Sequence, residues 1–336
     1  MNRSEDQRTW KPSSRYVLSG EMIYQAMESK LILGTRGSKL ALWQANWVKS
    51  RLEELGRRVE IRVIKTSGDK LDDVSLANSG TKGLFIKEIE EGLVDGSLDL
   101  AVHSLKDVPS SLPPGLLIGA VPRREDPRDV LITRDGSALA QLPEGSRVAT
   151  SSPRRVAQLR ALRGDLDFVP IRGNLDTRIR KLDSGVCDGL VVAAAGVHRL
   201  ELTSRIAAYF SIEQICPAVG QGALAVEIRE QDEMGKQAVT PLEDAVTRRA
   251  VEAERAALGE LGGGCQAPIA IHAFEENGKF VITGIVANPA SGEVLRASLT
   301  GPGGEGRELG HRLARLLRDR GADRILNLAR GLTVQR

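Results

Sequence analysis

Between residues 31 and about 230, short apolar runs alternate with stretches whose apolar positions recur at helical spacing. The runs 31–34, 59–64 and 98–103 predict strands, and 38–55 and 83–94 predict amphipathic helices between them. The pattern then begins again, with strands over 147–150, 168–171 and 190–194 and helices over 153–162 and 175–182. Such alternation predicts an α/β architecture, a parallel or mixed sheet covered on both faces. Two correspondences make it a pseudo-repeat. Gly34-Thr35-Arg36-Gly37-Ser38 and Ala149-Thr150-Ser151-Ser152 each end a strand in small hydroxyl residues at a helix start. Asp95-Gly96-Ser97-Leu98-Asp99-Leu100-Ala101-Val102 is echoed by Cys187-Asp188-Gly189-Leu190-Val191-Val192. Two similar lobes facing one another leave a cleft at strand C-termini and helix N-termini, where ligands bind.

Past about residue 245 the grammar changes to a long helix over 242–261, three strands at 270–274, 279–287 and 293–299, and a last helix over 309–320. Turns at Glu276-Asn277-Gly278 and Pro289-Ala290-Ser291-Gly292 make those strands antiparallel. The expected organisation is an N-terminal extension, poorly ordered, over 1–30, with a first lobe over 31–122 plus 221–240. A second lobe follows over 128–216, and a C-terminal α+β domain over 245–332.

Composition narrows the function. With 41% hydrophobic and 27% charged residues the chain is globular. Aromatics at 3% and a net charge of only +3 argue against a nucleic-acid surface. No stretch is long and apolar enough for a membrane span, and the first thirty residues lack a secretion signal, so a cytoplasmic protein is expected. Three cysteines make no disulfide framework; Cys187 and Cys216 have apolar neighbours and read as packed thiols. Four histidines, none at ligand spacing, predict no metal, and His103 reads as a packed residue.

The third cysteine is different. Gly262-Gly263-Gly264-Cys265-Gln266-Ala267-Pro268 surrounds a sulfur with residues that lack bulk, so something large can approach it. Upstream, three strand-to-helix turns carry arginines: Arg36 beside Thr35 and Ser38; Arg154 and Arg155 beside Thr150, Ser151 and Ser152; Arg172 and Arg178 beside Asn174 and Thr177. Guanidinium forks suit carboxylates or phosphates. Ser38, Ser152 and Asn174 can equally be helix N-caps, with the arginines solvated. Val102-His103-Ser104-Leu105-Lys106-Asp107-Val108-Pro109 ends a buried strand in a lysine–aspartate pair, either a local ion pair or a carboxylate poised for proton transfer. Gly80-Thr81-Lys82-Gly83-Leu84-Phe85 is a connector or a mobile lid. Pro217-Ala218-Val219-Gly220-Gln221-Gly222-Ala223 marks the crossing back between lobes.

Taken in order, these stretches resemble the porphobilinogen deaminase (hydroxymethylbilane synthase) family. The carriers are Thr35-Arg36-Gly37-Ser38-Lys39-Leu40-Ala41-Leu42-Trp43-Gln44, Lys82-Gly83-Leu84-Phe85 and the Val102–Pro109 strand end. Arg124-Glu125-Asp126-Pro127-Arg128-Asp129, Thr150-Ser151-Ser152-Pro153-Arg154-Arg155 and Arg172-Gly173-Asn174 follow, then Val219-Gly220-Gln221-Gly222-Ala223 and Gly263-Gly264-Cys265-Gln266-Ala267-Pro268-Ile269. The resemblance implies two periplasmic-binding-protein-like lobes plus a small α+β domain. It implies a dipyrromethane cofactor joined to Cys265 by a thioether and made from substrate, with no metal. Asp107 then corresponds to the catalytic carboxylate. Lys82, Ser104, Lys106, Thr150, Ser152, Arg154 and Arg155 correspond to cofactor contacts, and Arg36, Ser38, Gln44, Phe85, Arg172 and Arg178 to substrate contacts. The implied reaction joins four porphobilinogen units head to tail with loss of ammonia and releases linear hydroxymethylbilane. The implied protein is a monomer acting on a small molecule, with no nucleic-acid or membrane partner. The rival readings are a two-lobed anion-binding protein and a cysteine hydrolase, which would want a base such as His272 near Cys265.

Overall fold

In the computed structural model, residues 30–66, 86–264 and 267–329 are described below. The first sheet takes β1 (Lys30–Thr35), β2 (Arg58–Val63), β3 (Leu100–Ser104), β4 (Leu116–Ala120) and a late strand introduced below. Helix α1 (Lys39–Glu54) joins β1 to β2, and α2 (Lys87–Val94) precedes β3. Helix α1 forms because Ser38 closes its first turn, its Oγ accepting from the Ala41 N–H at 3.2 Å. Its buried positions Gln44, Ala45, Val48 and Leu52 recur at helical spacing and face the sheet.

The second sheet has β5 (Asp129–Thr133), β6 (Arg147–Ala149), β7 (Asp167–Val169), β8 (Gly189–Ala193) and β9 (Ile206–Tyr209). Its helices are α3 (Pro153–Leu162), α4 (Leu175–Asp183) and α5 (Ala194–Arg199). The chain then returns to the first sheet as β10 (Leu224–Arg229), followed by α6 (Glu233–Val239).

The orders are β2-β1-β3-β10-β4 and β7-β6-β8-β5-β9. In both sheets the first three strands run parallel, and the fourth is antiparallel to the neighbours on either side of it. Thus β1 corresponds to β6 and β3 to β8, the two correspondences that the sequence motifs mark. The strands that break the parallel pattern, β5 and β10, are those that enter a lobe from a crossing segment, a feature no local pattern announces.

The third unit is α7 (Ala245–Glu260), the antiparallel sheet β11 (Ile269–Glu276), β12 (Lys279–Ala287) and β13 (Val294–Pro302), then α8 (Gly306–Asp319) and α9 (Ala322–Ala329). The expected last helix, 309–320, is α8; Gly321, with a φ of 96°, ends it in a left-handed turn, and α9 follows where no helix was expected. One sheet face packs on these helices through Ile271, Phe280, Ile282, Leu309, Leu313 and Leu317. A fully buried side chain of Phe280's size contributes about 2–3 kcal/mol. The other face meets lobe 2, where Ala157 of α3 and Cys216 pack against Ala270, Ile285 and Ala287. The α/β lobes with a small α+β unit are therefore as expected. The N-terminal extension, the Lys82–Phe85 loop and Cys265 lie outside the described residues.

Candidate functional site

In lobe 1, Thr35 is fully buried and its hydroxyl donates to the Ala41 carbonyl at 3.2 Å, which binds the strand end to the first turn of α1. Arg36 lies between that anchor and the Ser38 cap, partly exposed. Gln44, on the buried face of α1, donates to Ser104 Oγ at 2.9 Å and so reaches the end of β3. After Ser104 the chain makes a single 3-10 turn, Leu105–Asp107. The Leu105 N–H donates to the Ala223 carbonyl at 3.0 Å, and Leu105 and Val108 are buried. Lys106 is left partly buried between them and Asp107 exposed. Burial pushes the Lys106 ammonium down to about 8, against the opposing pull of Asp107 and Asp129.

In lobe 2, Thr150 accepts from the Ser152 N–H at 3.3 Å, and Ser151 exchanges hydrogen bonds with the Ile171 backbone. Neither Ser152 nor Asn174 makes a side-chain cap on its helix, so of the three possible caps only Ser38 performs that role.

Arg154 and Arg155 are buried rather than solvated, at 4% and 7% exposure, and both hold Asp129. Arg154 donates to Asp129 Oδ2 at 2.7 Å and to the Cys216 carbonyl at 2.6 Å. Arg155 donates to Asp129 Oδ1 through Nε at 2.9 Å and Nη2 at 2.6 Å. Gln221 adds a fourth donor at 2.9 Å. Burial alone would raise the Asp129 carboxyl, but the two guanidinia overcome it and hold it well below the usual range. These arginines therefore already have a carboxylate, the protein's own, and it sits beside the crossing segment. Arg172 and Arg178 are partly buried around Gly173, whose carbonyl accepts from Arg178 Nε at 2.7 Å.

The lobes approach each other where these turns lie. A Cβ built on Gly196 would sit 3.5 Å from Leu40 of α1 and 3.4 Å from Leu175 of α4, so the Arg36–Ser38 and Arg172–Asn174 turns stand near one another. A cavity of about 370 Å³ lies between lobe 2 and the third unit, lined by Thr150, Ser151, Phe168, Pro170 and Pro268. Pro268 follows the Cys265 loop closely in sequence, and on either side of that cysteine the Ala267 N–H donates to the Gly264 carbonyl at 2.9 Å.

One basic group escaped the sequence reading. Arg199, 7% exposed, donates to the Gly222 carbonyl at 2.7 Å and lies 5.7 Å from the centre of the Trp43 ring across the lobes. Burial pushes its guanidinium down to about 10, with Glu125 opposing. It ends α5 rather than following a strand, so the strand-plus-arginine signal could not find it; its place after the Ala193-Ala194-Ala195-Gly196 run was the available clue.

The remaining candidates are structural. Cys187 and Cys216 are wholly buried, and burial raises both thiols, Cys216 to about 12. His103 is 5% exposed and pairs with Glu227 at 3.0 Å. His272, 4% exposed, has Glu254 at 3.4 Å, but that carboxylate also holds Arg124 at 2.6 Å and the Gly220 N–H at 2.7 Å. Among the described residues no group of three or more His, Cys, Asp or Glu side chains is placed to hold a metal ion, and no helix is long and apolar enough to cross a membrane.

Residues 31–237 match a family model described as "Porphobilinogen deaminase, dipyromethane cofactor binding domain", and residues 248–319 one described as "Porphobilinogen deaminase, C-terminal domain". Among relatives, a porphobilinogen deaminase of Syntrophotalea carbinolica is 53% identical over 300 residues, covering 89% of this chain and 95% of its own. Another, of Syntrophobacter fumaroxidans, is 49% identical over 296 residues, covering 88% and 96%. Among solved structures, a periplasmic substrate-binding protein of an ABC transporter from Coxiella burnetii is 18% identical with a TM-score of 0.40, covering 65% of this chain and 94% of its own.

Proposed function

Because the chain belongs to the porphobilinogen deaminase family, we infer that it joins four porphobilinogen units head to tail. Each unit loses ammonia, and water releases linear hydroxymethylbilane. It is a transferase of tetrapyrrole synthesis that works on a dipyrromethane cofactor. The observation that supports the residue assignment is the basic groups that the two lobes carry at their facing ends: Arg36 and Lys106, the latter next to Asp107 in the chain, from lobe 1, and Arg172, Arg178 and buried Arg199 from lobe 2, with Leu40 and Leu175 both close to Gly196. That donor chemistry fits a primer and a chain bearing acetate and propionate groups, since each charge-assisted contact contributes about 1.5–3 kcal/mol.

When bound through Cys265, the dipyrromethane supplies the nucleophilic pyrrole carbon. The protein's own residues do the rest. Asp107, exposed at the end of β3 while Leu105 and Val108 anchor its turn, stabilises positive charge on the reacting ring and exchanges protons with the departing amine. Lys106, with its ammonium pushed down to about 8, gives up a hydrogen-bonded proton more readily than an ordinary lysine and pairs with a carboxylate beside Asp107. Arg36, Ser38, Gln44, Arg172 and Arg178 take substrate carboxylates, with Phe85 as an apolar wall. Ser104, Thr150, Ser152 and Lys82 serve the cofactor. Arg154 and Arg155 act there through Asp129, which they orient at the crossing. The chain is read as a monomer in the cytoplasm, which gel filtration beside the activity assay tests.

The deciding experiment is the intact mass of the purified protein beside Cys265→Ser. A wild type heavier by two linked pyrrole units, with an unmodified variant, supports the assignment. The same adduct on both would remove Cys265 as the anchor.

A further inference from the structure

The geometry points to Arg255 as a positioning residue for Asp107. This rests on the reading of Asp107 as the catalytic carboxylate. The segment after Asp107, from Val108 to Gly115, belongs to no strand, so no sheet ladder fixes its backbone. One guanidinium does. Arg255 donates through Nη1 to the Val108 carbonyl at 3.2 Å, and through Nη2 to the carbonyls of Pro109 at 2.5 Å and Ser110 at 3.0 Å. Three consecutive carbonyls directly after Asp107 are thus gathered by one side chain from another part of the molecule.

The same helix face holds the turn a second way. Val251, one turn before Arg255 on α7, packs in a cluster with Leu105 and Val108, the two residues that flank Lys106 and Asp107. Apolar contact therefore fixes the depth of the turn, and the guanidinium fixes the direction in which the chain leaves it. Helix α7 ends at Glu260 and leads into the glycine loop that carries Cys265. Helix α7 thus holds the turn that carries the carboxylate through Arg255, and its C-terminus is the point from which the chain runs on toward the cysteine. A displacement of about 1 Å in such a group costs on the order of 100-fold in rate.

The test uses the full-length, cofactor-bearing enzyme and compares Arg255→Ala with Arg255→Lys. Expected for Arg255→Ala are the wild-type adduct mass, a folded protein, kcat lower by roughly 10–100-fold, and KM within about threefold of wild type. Arg255→Lys, which keeps the charge but not the fork, is expected to recover part of the loss. Low-millimolar guanidinium is expected to raise kcat of Arg255→Ala and not of wild type, because Arg255 lines a cavity of about 440 Å³ that a free guanidinium can enter beside Ser110 and Val251. A kcat within twofold of wild type in folded, adduct-bearing Arg255→Ala would overturn the proposal. So would a loss that follows only the unfolded fraction and vanishes on cooling, which marks a purely structural tie. Failure of the underlying reading shows elsewhere: an active Asp107→Ala or an adduct-free wild type overturns that reading and this inference together.

Discussion

Removing Asp129 should unfold lobe 2 well before it affects anything at the surface. The carboxylate is fully buried at the start of β5 and receives bonds from Arg154, Arg155 and Gln221. In Asp129→Ala the two guanidinia stay in the interior with only the carbonyls of Cys216 and Val191 as acceptors. An uncompensated buried charge of this kind costs about 3–5 kcal/mol. The assay is urea unfolding followed by hydrogen exchange in β5, β6 and β8, which should lose protection first. Because its folded carboxyl is held below the usual range, Asp129 contributes fully above the unfolded value near 4 and loses that contribution only as pH falls toward the folded one. The gap between wild type and variant should therefore be flat from pH 8 to about 5 and close in stronger acid. An unfolding free energy within about 1 kcal/mol of wild type at pH 7 would refute the account of this cluster.

Asp107→Ala should lose turnover while remaining folded and cofactor-bearing, since its carboxylate is exposed; near-normal turnover of porphobilinogen would refute its role. Cys187→Ser and Cys216→Ser should retain both adduct and activity, read by intact mass and steady-state rate, because neither buried thiol reaches the site. Glu90 is 9% exposed, and burial first, then Glu227, pushes its carboxyl up to about 7. Its charge therefore costs stability as pH rises from the usual value through 7. Glu90→Gln should gain about 1–2 kcal/mol relative to wild type at pH 8, after allowance for its residual hydration, and almost nothing at pH 4, read from denaturant midpoints.

The doubled grammar of strands and helices was legible because each turn from β1 to α1 and from β6 to α3 is built from residues adjacent in the chain. The strand end beside Lys106 and Asp107 was legible for the same reason, though the 3-10 turn over Leu105–Asp107 that carries the pair was not. What escaped depends on distant partners. Arg154 and Arg155 read as open anion binders because their acceptor, Asp129, lies some 25 residues away. The antiparallel placing of β5 and β10 is decided by the crossings between lobes and leaves no mark on periodicity. Arg199 was missed because its value comes from Gly222 and Trp43, on two other segments.

The position of β10 also governs the order in which the molecule can be completed. Every strand of the second sheet lies between Asp129 and Tyr209, but the first sheet has a gap between β3 and β4 until Leu224–Arg229 has been made. During synthesis the inner lobe has all its strands while the outer one still exposes the edges of β3 and β4, and unpaired edges are where nascent chains aggregate. A nascent chain of which only the first 215 residues have emerged from the ribosome would therefore carry one lobe with all its strands and one without, although the incomplete one was translated first.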